Sequence, residues 1–378
     1  MTDWRKEWFE IEDAVYLNAA GQGPLPRTAV RAAQQAIEWK KFPHHIREGE
    51  YFDLPNRVRT SLARLIGAQP EEIALTTGAS GGLQLVSTRL EWQRGDEILI
   101  GRGEFPAHFA TFLPMQSVAG LLVKVVGPRG QFLTAEDFLA HITSRTRFIS
   151  TSLVRFSDAV RLDARRVADA LHGAGGFLLL DTSQCVGAIP LDVKSLGCDF
   201  LVAAGYKWLL SPYGTGFLWV RGDLAGKMRE GPVYWQSLED AADFHQLASQ
   251  RFGSTAGLRR WDSPETASFF NLAAMESSLD LVLRIGVDAI WAHNRSLVCE
   301  LIRRLPVDRC VLGSPAEPDA RGPFVCIQSR RAEGTLALFE KLKKANIVVS
   351  LRDGGIRISP HLYNSERDLD RVLTVLTV

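Results

Sequence analysis

Net charge, paired cysteines and long apolar runs are all scarce in this 378-residue chain. A formal charge of +1 gives no overall field to draw in nucleic acid or an anionic membrane. The five cysteines (Cys185, Cys198, Cys299, Cys310 and Cys326) are odd in number, widely spaced and form no CxxC. That excludes a common zinc ribbon and argues for a reducing compartment. No stretch approaches the apolar length that spans a bilayer. The opening MTDWRKEWFE is charged, with no apolar run behind it, so no secretory leader is expected and a cytoplasmic location is. There is no repeated segment and no low-complexity linker.

What is present reads as alternating strands and helices. Apolar runs at 73–77, 97–101, 121–127, 147–154, 177–181, 200–205 and 215–221 are near-continuous, as expected of strands covered on both faces. Helical patterns such as 59–66, 82–92 and 162–172 lie between them, which predicts a mostly parallel α/β sheet of seven strands with helices on both faces. The link from Gly205 to Thr215 is too short for a helical crossover, so the last strand should run antiparallel to its neighbour. From Ser263 the texture changes. A Ser-Pro-Glu start signal opens a long helical stretch ending at Gly286, followed by helices near 288–305 and 335–345 and short strands FVCIQS, IVVSL and GIRIS. At this length two domains are expected: a large one over 16–262 and a smaller α+β one over 263–378, with segment 1–15 packing near the latter.

Three motifs place chemistry on this frame. LTTGASGGLQLV (75–86) is a strand, a small-residue turn and a helix, and the free N–H groups at such a helix start favour an anion. Ala79 to Gly82 thus form a candidate phosphate cradle, although the motif taken alone reads better as a merely well-capped helix. LLLDTSQ (178–184) sets Asp181 at the carboxyl end of a buried strand, where open α/β sheets bind ligands and an acid needs a cation or donors. AAGYKWLLSPYGTG (203–216) puts Lys207 among Tyr206, Trp208 and leucines, where desolvation frees the amine to attack a carbonyl.

In this order the motifs resemble the class V aminotransferase family of fold-type I pyridoxal 5′-phosphate (PLP) enzymes, which includes cysteine desulfurases, kynureninases and isopenicillin N epimerase-like proteins. The resemblance runs from about Tyr16 to the C-terminus. It implies that Ala79 and Ser80 bind the phosphate, Phe105 stacks on the pyridine ring, and Asp181 partners the ring nitrogen. Gln184 lies near the ring oxygen, and Lys207 is the Schiff-base lysine. In GIRISPHLYNSERDLDRVL it makes Arg357 the fork for the substrate carboxylate, and it puts Asn18 to Gly21 near the site. It further implies an amino-acid substrate and a homodimer with the site at the interface. RFGSTAG (251–257) resembles the segment that completes a partner's phosphate site, with Thr255 as donor.

The chain departs from the family pattern at several points. Ala204 or Gly205 stands where many members have a phosphate-binding Ser or Thr, Tyr206 replaces a His, and Phe156 occupies a position near the ring oxygen. No cysteine lies between Ile347 and Gly355, where desulfurases carry their persulfide cysteine, so persulfide chemistry is not expected. The expected reaction is transamination, with a PLP-dependent lyase (C–S lyase or kynureninase-like) or amino-acid epimerase as alternatives. His44, His45, His108, Tyr213, Trp235 and His361 are further pocket candidates, although each such residue is more often packing or surface.

Overall fold

The computed structural model describes residues 4–249, 253, 257–331 and 333–377. Its strands, in chain order, are β1 (Val15–Tyr16), β2 (Ile73–Thr76), β3 (Glu97–Gly101), β4 (Leu122–Val126), β5 (Thr146–Ser152), β6 (Phe177–Asp181), β7 (Phe200–Ala204) and β8 (Gly216–Val220). Then come β9 (Cys310–Leu312), β10 (Val325–Ser329), β11 (Ile347–Val348), β12 (Ser350–Arg352) and β13 (Gly355–Ile358).

Seven of these strands, each grown from one predicted apolar run, form a sheet ordered β2-β8-β7-β6-β5-β3-β4. β3, β4, β5, β6 and β7 pair in parallel, whereas β8 is antiparallel to both β7 and β2. The short link before Thr215 permits only that return. One strand differs from expectation. β4 is the sheet edge, and Leu122 and Val125 are exposed, so its apolar run is not covered on both faces.

The connection after β2 is built for close approach. Gly78 has φ +150°, a conformation that side chains disfavour, and releases the chain into the helix Ala79–Arg89. A Cβ on Gly82 would lie 2.5 Å from Val202 Cγ1, so glycine there seats the helix directly on β7. The helix expected to open at Ser263 starts later, at Phe269. Ser263 instead ties its N–H to Leu75 O at 2.9 Å, and Glu265 takes φ +58°, which delays the helical turn. The helix Phe269–Ile285 packs on helices Arg27–Lys41 and Glu50–Ile66 and joins the large-sheet core through Leu272, Met275 and Leu279.

A second, antiparallel sheet has the order β12-β13-β10-β9. Val325, Ile327, Ile356 and Ile358 on one face enter a separate core with Leu301, Leu342 and Leu369 from the surrounding helices. Each such fully buried side chain contributes roughly 1.5–3 kcal/mol. Val15 and Leu17 belong to the same core, because β1 pairs in parallel with β11. The chain then bridges Asn18 to Ser359, which brings the N-terminal loop to the end of β13.

Candidate active site

The carboxyl ends of the parallel strands converge on one region. Asp181 ends β6, Lys207 follows β7 by three residues, and Phe105 caps the helix Pro106–Phe112 after β3. Arg357 lies on β13 and reaches this region, its Nη1 donating to Phe156 O at 3.1 Å.

Lys207 is 7% exposed, with Nζ 5.3 Å from the Phe105 ring centre and 5.6 Å from that of Tyr206. Burial lowers its amine to about 8 against the opposing pull of Asp181, and the charges of Arg357 and Arg352 add to the lowering. Phe105 packs edge-on against Phe156 at 5.5 Å and is 40% exposed. Tyr206 packs on the exposed Tyr213 at 4.6 Å.

Asp181 is buried, and its Oδ1 accepts from the Ser183 N–H at 2.8 Å. Its Oδ2 lies 3.8 Å from His108 Nε2, an ion-pair distance too long for a hydrogen bond. Burial raises the carboxyl, yet His108, then Lys207 and Ser183, hold it below the usual aspartate range. Burial likewise lowers His108, but Asp181 and Glu104 hold the imidazole net above its ordinary value.

This supporting group was not read from the sequence as a unit. His108 Nδ1 bonds Ser150 Oγ at 2.7 Å, and Nε2 is 4.0 Å from Glu104 Oε2. Glu104 in turn accepts from Thr151 Oγ1 (2.7 Å), Ser152 N (3.0 Å) and Ser152 Oγ (2.6 Å). The signal was a Ser-Thr-Ser run inside the otherwise apolar strand RFISTSLV, since buried hydroxyls demand partners. His108→Leu should leave two buried carboxylates short of a cation and cost roughly 3–5 kcal/mol. Because the folded imidazole value is raised, that contribution is present below the unfolded value of about 6.5 and fades as pH rises through the folded value. Melting curves of wild type and variant should therefore converge as pH increases.

Arg357 is 2% exposed, and no carboxylate among the described residues pairs with it. Burial lowers the guanidinium to about 10, with Arg352 adding to the effect. Its Nε has no hydrogen-bond partner, and Phe324 lies 5.6 Å beneath it. The Gln184 amide spans Ala20 O (3.2 Å) and Trp208 Nε1 (3.4 Å) and keeps one N–H to spare. Asn18 Oδ1 is buried without a partner. At the start of helix Ala79–Arg89, Gly81 N bonds Gly78 O at 3.1 Å, leaving the Ala79 and Ser80 N–H groups, with the exposed Ser80 hydroxyl, free of intrahelical acceptors.

The remaining sequence candidates separate. His361 is fully buried, holds Trp208 O at 3.3 Å and is lowered by burial to about 4, so it is a packing residue. His44 and His45 lie on an exposed turn. Trp235 is partly exposed and packs on Phe244 at 5.8 Å. Thr255 lies outside the described residues. At Gly205, one of the two positions where the family hydroxyl would stand, a Cβ would collide with Thr215 Oγ1, which occupies that space and donates to Pro212 O at 2.6 Å.

The groups present fit PLP. A helix start offers free N–H groups for a phosphate, a buried carboxylate with unused acceptor capacity suits a protonated ring nitrogen, and a buried amine stands near an aromatic face.

Known proteins share this sequence pattern and fold along nearly the whole chain. Isopenicillin N epimerase of Streptomyces clavuligerus is 28% identical over 390 residues, covering 96% of this chain and 94% of that protein. Kynureninase of Bacillus mycoides is 24% identical, covering 100% and 90%. The solved complex between the cystine C–S lyase C-DES and its product cysteine persulfide has the same fold, with a TM-score of 0.88 and 23% identity over 97% of each chain. Residues 15–372 match the model of the aminotransferase class-V family, and the chain belongs to that PLP-dependent family.

Proposed function

We propose that this protein exchanges an amino group between an amino acid and a keto acid. The observation that carries the amino-acid reading is Arg357, a buried guanidinium with an unpartnered Nε and no acid paired with it among the described residues. Such a group lacks only a planar anion, and a substrate carboxylate meets that need with two parallel bonds. Bound PLP supplies an electron sink for charge developing at the substrate α-carbon.

The chain's own residues do the rest. Arg357 fixes the carboxylate and Asn18 borders it; the Ala79–Ser80 turn takes the phosphate, with Gln184, Phe156 and Tyr206 around the ring. Asp181, ionised beside His108, keeps a proton on the ring nitrogen. Lys207 would hold the cofactor, and its freed amine would take the proton from the substrate α-carbon and deliver it to the cofactor carbon that receives the amino group; a value of about 8 suits a base working near neutrality. Transamination needs one such base on one side. Phe105, proposed to cover the other face of the ring, carries no proton to give.

Epimerisation is the second reading, favoured by the 28% identity to isopenicillin N epimerase over nearly the whole of both chains. It requires a second proton donor opposite Lys207. A persulfide carried on a cysteine of the chain, as in a cysteine desulfurase, is not part of this reading. The cysteine nearest Arg357 in register is Cys326, which is 3% exposed, and burial pushes its thiol up to about 12, far from a mobile thiolate. A product screen over amino acids separates the readings: keto acid with aminated cofactor supports transamination, racemised substrate supports epimerisation, and released ammonia supports elimination.

The Lys207 amine also sets a pH dependence. At pH 7 roughly a tenth of it is neutral, against well under a thousandth for an ordinary lysine. The rate at which apoenzyme captures PLP should rise about tenfold from pH 7 and level off above about 8, as stopped-flow absorbance can record. A homodimer, with the exposed Phe105 and Tyr213 at the site mouth covered by a second copy, is part of this proposal. Sedimentation of the holoenzyme checks it. No helix among the described residues is long and apolar enough to cross a membrane.

A further inference from the structure

One charged group beside the site has no use in the scheme above. Arg352 ends β12 and is joined to β13 by the two-residue turn Asp353–Gly354, whose φ values of +46° and +77° mark a tight hairpin of the primed type. The register pairs Ser350 with Arg357 and Arg352 with Gly355, while Arg357 also faces Cys326 across β10. Directly paired residues share a face, and so do residues two apart along a strand. Ser350, Arg352, Arg357 and Cys326 therefore lie on one side of the small sheet. The opposite side, with Ile327, Ile356 and Ile358, is sealed in the apolar core. Arg352 is the diagonal neighbour of Arg357, about 7–8 Å away between backbones.

This polar side is underused by the protein itself. Ser350, 5% exposed, has a buried Oγ with no partner, and Arg357 Nε beside it has none either. The guanidinium of Arg352 is exposed, and its one hydrogen bond runs from Nη1 to Leu351 O at 2.8 Å. No carboxylate among the described residues pairs with it, the adjacent Asp353 included. By register it stands on the same sheet face as Arg357, one diagonal step away. Two cations held in fixed register, with unsatisfied polar atoms between them, repel each other until an anion arrives.

We propose that Arg352 binds a second carboxylate at the far end of the substrate side chain, with Ser350 between the two arginines, so that the enzyme acts on a dicarboxylic amino acid. This rests on Arg357 holding the α-carboxylate. The short Asp353–Gly354 turn holds the pair of arginines in place before substrate enters, which lowers the cost of ordering them on binding.

Calorimetric titration of the holoenzyme with two unreactive acids of equal length, glutarate and pentanoate, tests it. Glutarate should bind about tenfold tighter than pentanoate, the scale of one exposed charge-assisted contact. Arg352→Met should abolish that advantage and leave pentanoate affinity within about twofold of wild type. Equal affinities in the wild type, or an advantage that survives in Arg352→Met, overturns the inference. Arg357→Lys separates the two readings: it should weaken both acids. If it weakens pentanoate while wild type shows no preference for glutarate, only the dicarboxylate inference falls. If it weakens neither, the α-carboxylate reading falls and this one with it.

Discussion

Lys207→Ala is expected to reduce turnover by roughly a thousandfold or more, because it removes the one base proposed to move the α-proton and the anchor of the cofactor. Its effect on stability should have the opposite sign. The amine drops from 10.5 in the unfolded chain to about 8 in the folded apoenzyme, a difference worth roughly 3 kcal/mol against folding while the group is charged. Between those values the unfolded chain binds the extra proton, so wild-type stability rises with pH there, and below about 8 the penalty is present in full. Apo Lys207→Ala should therefore melt above apo wild type at pH 7, with the gap closing toward pH 10. Denaturation curves at the two pH values, beside steady-state rates, check both halves. A variant that melts lower at pH 7 would mean that the lysine is held by contacts that favour it in the charged form.

Arg357→Lys should retain PLP and its absorbance yet bind amino acids about tenfold to hundredfold more weakly. A lysine supplies a point charge without the planar fork, and losing a charge-assisted pair of bonds costs roughly 1.5–3 kcal/mol. Neither the helix start at Ala79 nor Asp181 touches this arginine, so the cofactor should not register the change. Were Arg357 instead a structural brace for Phe156 O, the variant would lose melting temperature while the folded fraction kept its substrate affinity. Spectral titration with one amino acid, alongside melting curves, distinguishes the two.

The sheet was legible because its strands other than β4 are buried on both faces, which writes an apolar run into the sequence for each. The direction of β8 was legible too, since the link from Gly205 to Thr215 is too short to carry a helical crossover. The edge position of β4 was not, because LLVKVVG looks the same whether one face is covered or two. The start at Phe269 was hidden by Ser263, which reads as a helix cap but whose backbone N–H is tied to Leu75 O of β2. In the site, Asp181, Lys207 and Arg357 announced themselves as polar residues at ends or centres of apolar runs. His108 and Glu104 did not, since their meaning depends on Ser150 and Ser152, more than 40 residues away in sequence. Arg352 was passed over for the same reason. Only the strand register sets it diagonally beside Arg357.

The central claim is that PLP is held by Lys207, and borohydride reduction of the holoenzyme followed by peptide mapping addresses it without reference to any substrate. The account predicts a single pyridoxyl-labelled peptide spanning Gly205 to Leu210, with the label on Lys207 and no labelled peptide from Lys207→Ala. Label on another lysine, or a fully occupied enzyme that yields none, would contradict it.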